Sequence, residues 1–265
     1  YSEGIICLTG CMAGPVMRAI MQDGSITEAR AYTERLVEIF GKDNVYGELQ
    51  NVGITVGVPG DSEVAKLLGK DPLTEAEAAG MEGYHGDVVE EVEAGEVPIS
   101  QTEANRILVE EVCKPLGLRY VATGDVHYLN ADDAEPHDAM ICIGTGQIQR
   151  GQRRFSLLPK KYHMRTEKEM LEAIPEYPEA VSETVDVAAR CTAEIEYGKE
   201  LLPSFPIPDG FEGSGEYLKH LCLEGMKELY PEGNPRLGEA PERLEYELGV
   251  IDKIVYNDYF LIVWV

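Results

Sequence analysis

Apolar residues along the chain fall alternately into short runs and into helical spacing, and that alternation predicts βα units. Residues 5–9 form a run bounded by Gly4 and Gly10, too short for a helix, and predict a buried strand that delivers Cys11 to its carboxyl end. Ser25-Ile-Thr-Glu28 is a capping-box pattern opening a helix in which Ala29, Tyr32, Leu36, Ile39 and Phe40 share a face, and Gly41 closes it. Residues 45–49 predict a second strand. A second capping box, Ser100-Gln-Thr-Glu103, starts a helix with Ala104, Ile107, Leu108 and Val112 inward, ended by Pro115 and Gly117. Residues 118–123 predict another strand, after which Asn130 caps a helix from Ala131 to about Ile143. Strands alternating with helices imply a mainly parallel sheet or barrel, whose chemistry sits at the carboxyl ends of the strands.

Two segments break the rhythm. Residues 54–99 are rich in glycine and proline and carry eleven acids against two lysines, which predicts an acidic surface insertion, partly helical around residues 61–68. Residues 201–210 hold Pro203, Pro206 and Pro208 in a stiff, extended stretch that predicts a domain boundary. Helices are expected after it, at about residues 216–230 and 241–255.

Composition narrows the function classes. The 265 residues carry 48 acidic and 23 basic side chains, a formal charge of -25, which repels a polyphosphate backbone over most of the surface. Nucleic acid must then be met by a local patch or by parts of the protein outside this chain. Six scattered cysteines without disulfide spacing or a signal peptide predict a reducing cytoplasm. No apolar stretch approaches the roughly eighteen residues a bilayer requires, so no membrane partner is expected. The chain opens at Tyr1 without methionine and stops inside an apolar run, so both ends read as cut and any function belongs to a larger protein.

The sharpest chemical feature is Gly124-Asp125-Val126-His127-Tyr128, directly after a strand. If strand geometry continues, residues 125 and 127 point to one side, and a carboxylate and an imidazole converge on one cation. The same residues also suit a turn cap and a satisfied core histidine. Cys11 has the same placement after another strand and suits either a thiolate ligand or a small buried hydrophobe. His137 follows Asp133 by one helical turn and reads as structural, as do His85 and His220. Between Ala139 and Thr166 there is no acid, while Arg150, Arg153, Arg154, Lys160, Lys161 and Arg165 are basic. Contact with phosphates or an acidic partner, helped by Phe155 and Tyr162, and a solvated loop offsetting its acidic surroundings fit equally well. No phosphate-binding loop, nucleophile elbow or dinucleotide fingerprint is present.

Taken in order, Glu3-Gly-Ile-Ile-Cys-Leu-Thr-Gly-Cys11, Ile39-Phe-Gly-Lys-Asp-Asn44, Glu48-Leu-Gln50, Val121-Ala-Thr-Gly-Asp-Val-His-Tyr-Leu129 and Cys142-Ile-Gly-Thr-Gly146 resemble the bacterial DNA polymerase III alpha-subunit family. The resemblance continues through Leu202-Pro-Ser-Phe-Pro-Ile-Pro208, Arg243-Leu-Glu-Tyr-Glu-Leu-Gly-Val-Ile251 and Asp258-Tyr-Phe-Leu-Ile-Val-Trp264, and leaves out only residues 54–99. It implies an α/β fold: the later part of a PHP-type distorted βα barrel over residues 1–200, a linker at 201–214, and a helical segment beginning the polymerase palm at 215–265.

The resemblance further implies that Cys11, Asp125 and His127 are ligands of a multinuclear metal cluster, with the remaining ligands from upstream segments. Zinc, manganese and iron all suit such donors. Template-directed synthesis from DNA and dNTPs would use magnesium and palm aspartates beyond this chain. The PHP domain would act as a proofreading 3′ to 5′ exonuclease, or as an inactive platform for a separate exonuclease subunit beside other replisome subunits. Three departures stand out: Gly124 for a usual Asn, Val52 for a frequent His, and the acidic segment. Retention of the Cys and His favours the replicative form with a metal-competent site. A free-standing phosphoesterase of the histidinol-phosphatase type is the alternative, and the palm-like tail argues against it.

Overall fold

The structure, a computed structural model, describes residues 2–80, 88–89, 92–150, 154–157, 160–195, 197–198 and 201–264. They form two compact units, Tyr1–Thr192 and Ala193–Val265.

In the first unit three parallel strands lie side by side: β1 (Cys7–Leu8), β2 (Val45–Gln50) and β6 (Arg119–Thr123), with β2 central. Helices lie in both connections, as the sequence predicts, and the β2-to-β6 connection carries strands as well. The run at 5–9 contributes only two paired residues. Between β1 and β2 run α1 (Pro15–Met21) and α2 (Ile26–Phe40). The Ser25 side chain accepts from the Glu28 N–H, and Gly41, at φ 83, ends α2. The inward face of α2 is Ala29, Thr33, Leu36, Val37 and Phe40, whereas Tyr32 and Ile39 are exposed.

The segment 54–99 departs from the expected surface insertion at both of its ends. β3 (Ile54–Pro59) pairs antiparallel with β5 (Glu96–Ser100) and parallel with the two-residue β4 (Val88–Val89), forming a second three-stranded sheet. Between them lie α3 (Glu63–Leu68), near the expected position, and α4 (Glu75–Gly80). Val56, Val58, Val64, Val97 and Ile99 are buried in the same core as Leu49 and Ile107. The buried Gln101 amide oxygen accepts the N–H groups of Val52, Gly53 and Ile54 at 2.9, 3.0 and 3.0 Å, locking the β2–β3 turn. Val52 itself is buried.

Ser100 and Glu103 close a reciprocal capping box on α5 (Gln101–Ile107), and Ala104, Ile107, Leu108 and Val112 are buried as predicted. The helix then widens into a π turn over Leu108–Cys113 before a last short turn, α6 (Lys114–Leu116), and Gly117 at φ 63. Pro115 has no N–H to return to the preceding turn, and the Glu111 carbonyl accepts instead from Arg30 Nε at 2.5 Å. Asn130 and Asp133 cap the entry to α7 (Ala134–Thr145). Helices α1, α4, α8 (Glu167–Ala173) and α9 (Pro178–Arg190) have no counterpart among the sequence expectations, and α9 packs on β6.

The second unit holds α10 (Ser214–Leu229), α11 (Ala240–Lys253) and α12 (Asn257–Trp264) around Leu218, Leu248 and Leu261. The proline-rich stretch is extended, and Phe205 and Ile207 pack on that core. Asp258 fixes its two ends, accepting the Phe205 N–H at 2.7 Å and the Ser214 hydroxyl at 2.8 Å. Among the described residues no helix is long and apolar enough to cross a membrane.

Candidate metal centre

The carboxyl ends of β1, β2 and β6 form one edge of the parallel sheet, the edge at which βα folds assemble chemistry. At the end of β1 the chain turns tightly: Gly10 takes φ 88, and Gly14 donates its N–H to the Cys11 carbonyl at 2.7 Å. A Cβ at Gly14 would lie 3.0 Å from the Cys11 and Thr9 carbonyl oxygens, so this turn needs glycine there. Cys11, half-buried, lines a small hollow together with Glu48, Gln50 and Asn105. The Asn105 side-chain oxygen, also buried, has no hydrogen-bond partner. Cys7 lies within β1, and burial first and then Glu48 push its thiol pKa up, in keeping with a core role.

At the end of β6 the strand geometry stops at Thr123, so residues 125 and 127 do not meet by strand alternation. Asp125 takes φ 49, a left-handed conformation uncommon outside glycine and tolerated best by Asn and Asp. That turn folds the chain back so that His127 Nδ1 lies 2.8 Å from the Asp125 carbonyl oxygen and 3.9 Å from its carboxylate. With Nδ1 donating to the carbonyl, the lone pair is left on Nε2. A histidine whose second nitrogen is held by a backbone carbonyl is the usual arrangement of a metal ligand. Gly124 is not in the left-handed region, and a Cβ there would meet only ordinary contacts at 3.5 and 3.8 Å, so the glycine does not shape the turn.

A short pairing steadies this loop. Tyr128 bridges to His163, the His127 N–H donates to the Tyr162 carbonyl at 2.8 Å, and the Met164 N–H donates to the Tyr128 carbonyl at 3.1 Å. The rings of His137 and Tyr162 lie 6.0 and 5.4 Å from that of His127. His137, which reads as structural in sequence, is thus brought beside the Asp125–His127 pair, because α7 starts only a few residues later. His163, for which the sequence offers no motif, has a buried ring nitrogen without a partner and a second nitrogen 3.4 Å from Glu169.

Asp125 and His127 are therefore together, and both are more than one third exposed. Cys11 sits past β1 on the other side of β2, and two strand spacings, about 10 Å, separate the roots of the two loops. Among the described residues no three His, Cys, Asp or Glu side chains form a group able to hold a metal ion. The donor types suit a divalent cation bound with further ligands above β2.

Of the six basic residues between Ala139 and Thr166, several are committed within the protein. Arg154 makes two contacts of 2.6 Å with Asp138, holding that carboxyl below its usual range. Lys160 pairs with Glu135. Arg165, half-buried, donates to the carbonyls of Asn51 and Lys161 at 2.8 Å each. Arg150 lines a cleft of about 320 Å³ with Tyr128 and His137, and Lys161 lines a neighbouring one with His163. Arg153 lies outside the described residues, as does His85.

A model of the PHP domain matches residues 1–52, and a model of the bacterial DNA polymerase III alpha NTPase domain matches residues 216–265. Over its whole length the chain is 29% identical to the DNA polymerase III subunit alpha of Treponema pallidum and 31% identical to that of Borreliella burgdorferi, spanning 18% and 19% of those proteins. The corresponding subunit of Pseudomonas aeruginosa is 37% identical over 152 residues, 54% of this chain and 13% of that protein. With two family models matched in order and relatives of one kind aligned from end to end, this chain belongs to the bacterial DNA polymerase III alpha-subunit family.

Proposed function

We propose that this chain is the later part of a PHP domain and the beginning of the polymerase region of a DNA polymerase III alpha subunit, a DNA-directed DNA polymerase of chromosomal replication. The coverage of under one fifth of the relatives supports assigning primer extension, with DNA, dNTPs and magnesium, to residues outside this chain. The parallel sheet β1-β2-β6 with its helices would be one sector of a distorted βα barrel. Cys11, Asp125 and His127 would bind divalent cations of the zinc, manganese or iron type at its edge, together with ligands from other segments. The pairing of His127 Nδ1 with the Asp125 carbonyl is the observation that carries this reading, since it leaves Nε2 as the donor.

Cys11, Asp125 and His127 would hold a divalent cation there, and that cation would supply water activation and charge stabilisation for phosphodiester cleavage, the chemistry of 3′ to 5′ proofreading. The chain's own residues contribute the donors and their orientation. Arg150 would meet substrate phosphate from the adjoining cleft, whereas Arg154 and Lys160 offset Asp138 and Glu135. A separate exonuclease subunit and other replisome subunits remain the expected protein partners.

Asp125→Asn tests the assignment in the full-length polymerase, because Asn tolerates the left-handed φ that Asp125 adopts. Excision of a mismatched 3′ end is expected to fall by about 10- to 100-fold while primer extension is retained. Undiminished excision would remove Asp125 from the metal site.

A further inference from the structure

The central strand β2 is flanked by β1, which leads to Cys11, and by β6, which leads to Asp125 and His127. Glu48 pairs with Val121 and Gln50 with Thr123, so these four side chains share one face of the sheet. On that face the Thr123 hydroxyl donates to Glu48 Oε1 at 2.6 Å, and the Gln50 amide approaches the same oxygen at 3.4 Å. Both contacts fall on one carboxylate oxygen. Glu48 Oε2 has no hydrogen-bond partner among the described residues.

The charge of Glu48 is unpaired as well. Asp138 has Arg154, Glu135 has Lys160, Glu103 has Lys70 and Glu183 has Arg119, but among the described residues no cation forms an ion pair with Glu48. A half-buried carboxylate held only by a neutral hydroxyl and a neutral amide lacks the opposite charge that normally offsets desolvation. Glu48 also lines the small hollow with Cys11 and Asn105, and the buried Asn105 side-chain oxygen has no partner either. The residues around that hollow therefore include a thiol and two oxygen acceptors without donors, a set that suits a cation.

We propose that Glu48 is a further ligand of the metal centre, its free carboxylate oxygen binding the same divalent cation as the Cys11 thiolate. The assignment rests on the reading of Cys11 as a ligand. It supplies from β2 one of the donors that the flanking strands lack. A thiolate and a carboxylate together neutralise a divalent cation, which offsets the cost of holding both charges half-buried. The Thr123 bond then serves as the outer contact that fixes a ligating carboxylate in orientation.

The test uses the full-length protein, stripped of metal and titrated with cobalt(II). Its readout is the thiolate-to-cobalt absorption that Cys11→Ser abolishes. Glu48→Gln keeps the size of the side chain and an acceptor for Thr123, and removes only the anionic donor. It is expected to weaken the Cys11-dependent binding by about 10- to 100-fold while the metal-free protein melts as the wild type does. A second measurement needs no variant. In crystals of the wild type grown with zinc, the ion on Cys11 Sγ should lie about 2.0–2.2 Å from a Glu48 carboxylate oxygen.

A Glu48→Gln variant that binds cobalt as tightly as the wild type, through a band that still depends on Cys11, overturns the proposal and leaves the metal centre standing. An ion bonded to Cys11 but out of bonding distance of Glu48 does the same, even if Glu48→Gln fails to fold. Absence of both a Cys11-dependent band and an ion on Cys11 in the wild type refutes the metal-centre reading of Cys11 itself, and the Glu48 assignment falls with it.

Discussion

Glu169 accepts the N–H and the hydroxyl of Thr166 at 2.7 Å each and lies 3.4 Å from His163. Chiefly the Thr166 N–H, then its hydroxyl, and then His163 lower its pKa to about 2. A carboxyl near pKa 4.3 in the unfolded chain and about 2 when folded stabilises the fold above the first value, and that contribution disappears as pH falls through the second. Glu169→Ala is therefore expected to lower Tm at pH 7, with the gap to wild type closing between about pH 4.3 and pH 2; a gap independent of pH contradicts this. How far single residues were legible follows from where their partners lie. Asp125 and His127 could be paired from sequence because they are two residues apart, although a left-handed turn unites them and strand alternation does not. Glu48 was legible only as part of the Glu48-Leu-Gln50 motif, since the Thr123 hydroxyl that its carboxylate accepts at 2.6 Å lies 75 residues away, and His163 carries no local mark at all.

Elements with local signals formed where predicted. Ser100 and Glu103 carry their own capping box, and Gly117 supplies the left-handed residue that ends the helix run before β6. The ends of 54–99 show what composition conceals. The alternation of Ile54, Val56 and Val58 is a strand signal, but the acids, glycines and prolines that follow dominate the average over the segment. β5 is hidden likewise by Pro98, which sits in a strand paired on one side. The two alternatives differ in energy. Ile99 is fully buried, so Ile99→Ala should destabilise the protein by about 2–5 kcal/mol in denaturant unfolding. A loss within about 0.5 kcal/mol would mean that β5 belongs to the surface after all. In α2 the helical period was read correctly but its inward face lies differently, since Thr33 hides its hydroxyl on the Ala29 carbonyl at 2.8 Å and so joins the core face.

At the scale of the whole molecule, an acidic chain with a formal charge of -25 keeps its few cations largely for internal use. Arg154, Lys160 and Arg165 neutralise or cap neighbouring groups, so the cation-rich segment does not amount to a free basic surface. At the sheet edge a carboxylate and an imidazole are exposed on one side of β2, and a half-buried thiol lies on the other. The family likeness was legible across nearly the whole chain because its motifs are local and ordered, whereas the separation of the donors depends on the strand order β1-β2-β6, which no motif encodes. The most direct test is anomalous diffraction from crystals of the full-length protein grown with zinc or manganese. A metal peak about 2.0–2.3 Å from His127 Nε2 and a peak at the same edge bonded to Cys11 Sγ are the predicted result. Metal-soaked crystals with no anomalous peak at either side chain would contradict it.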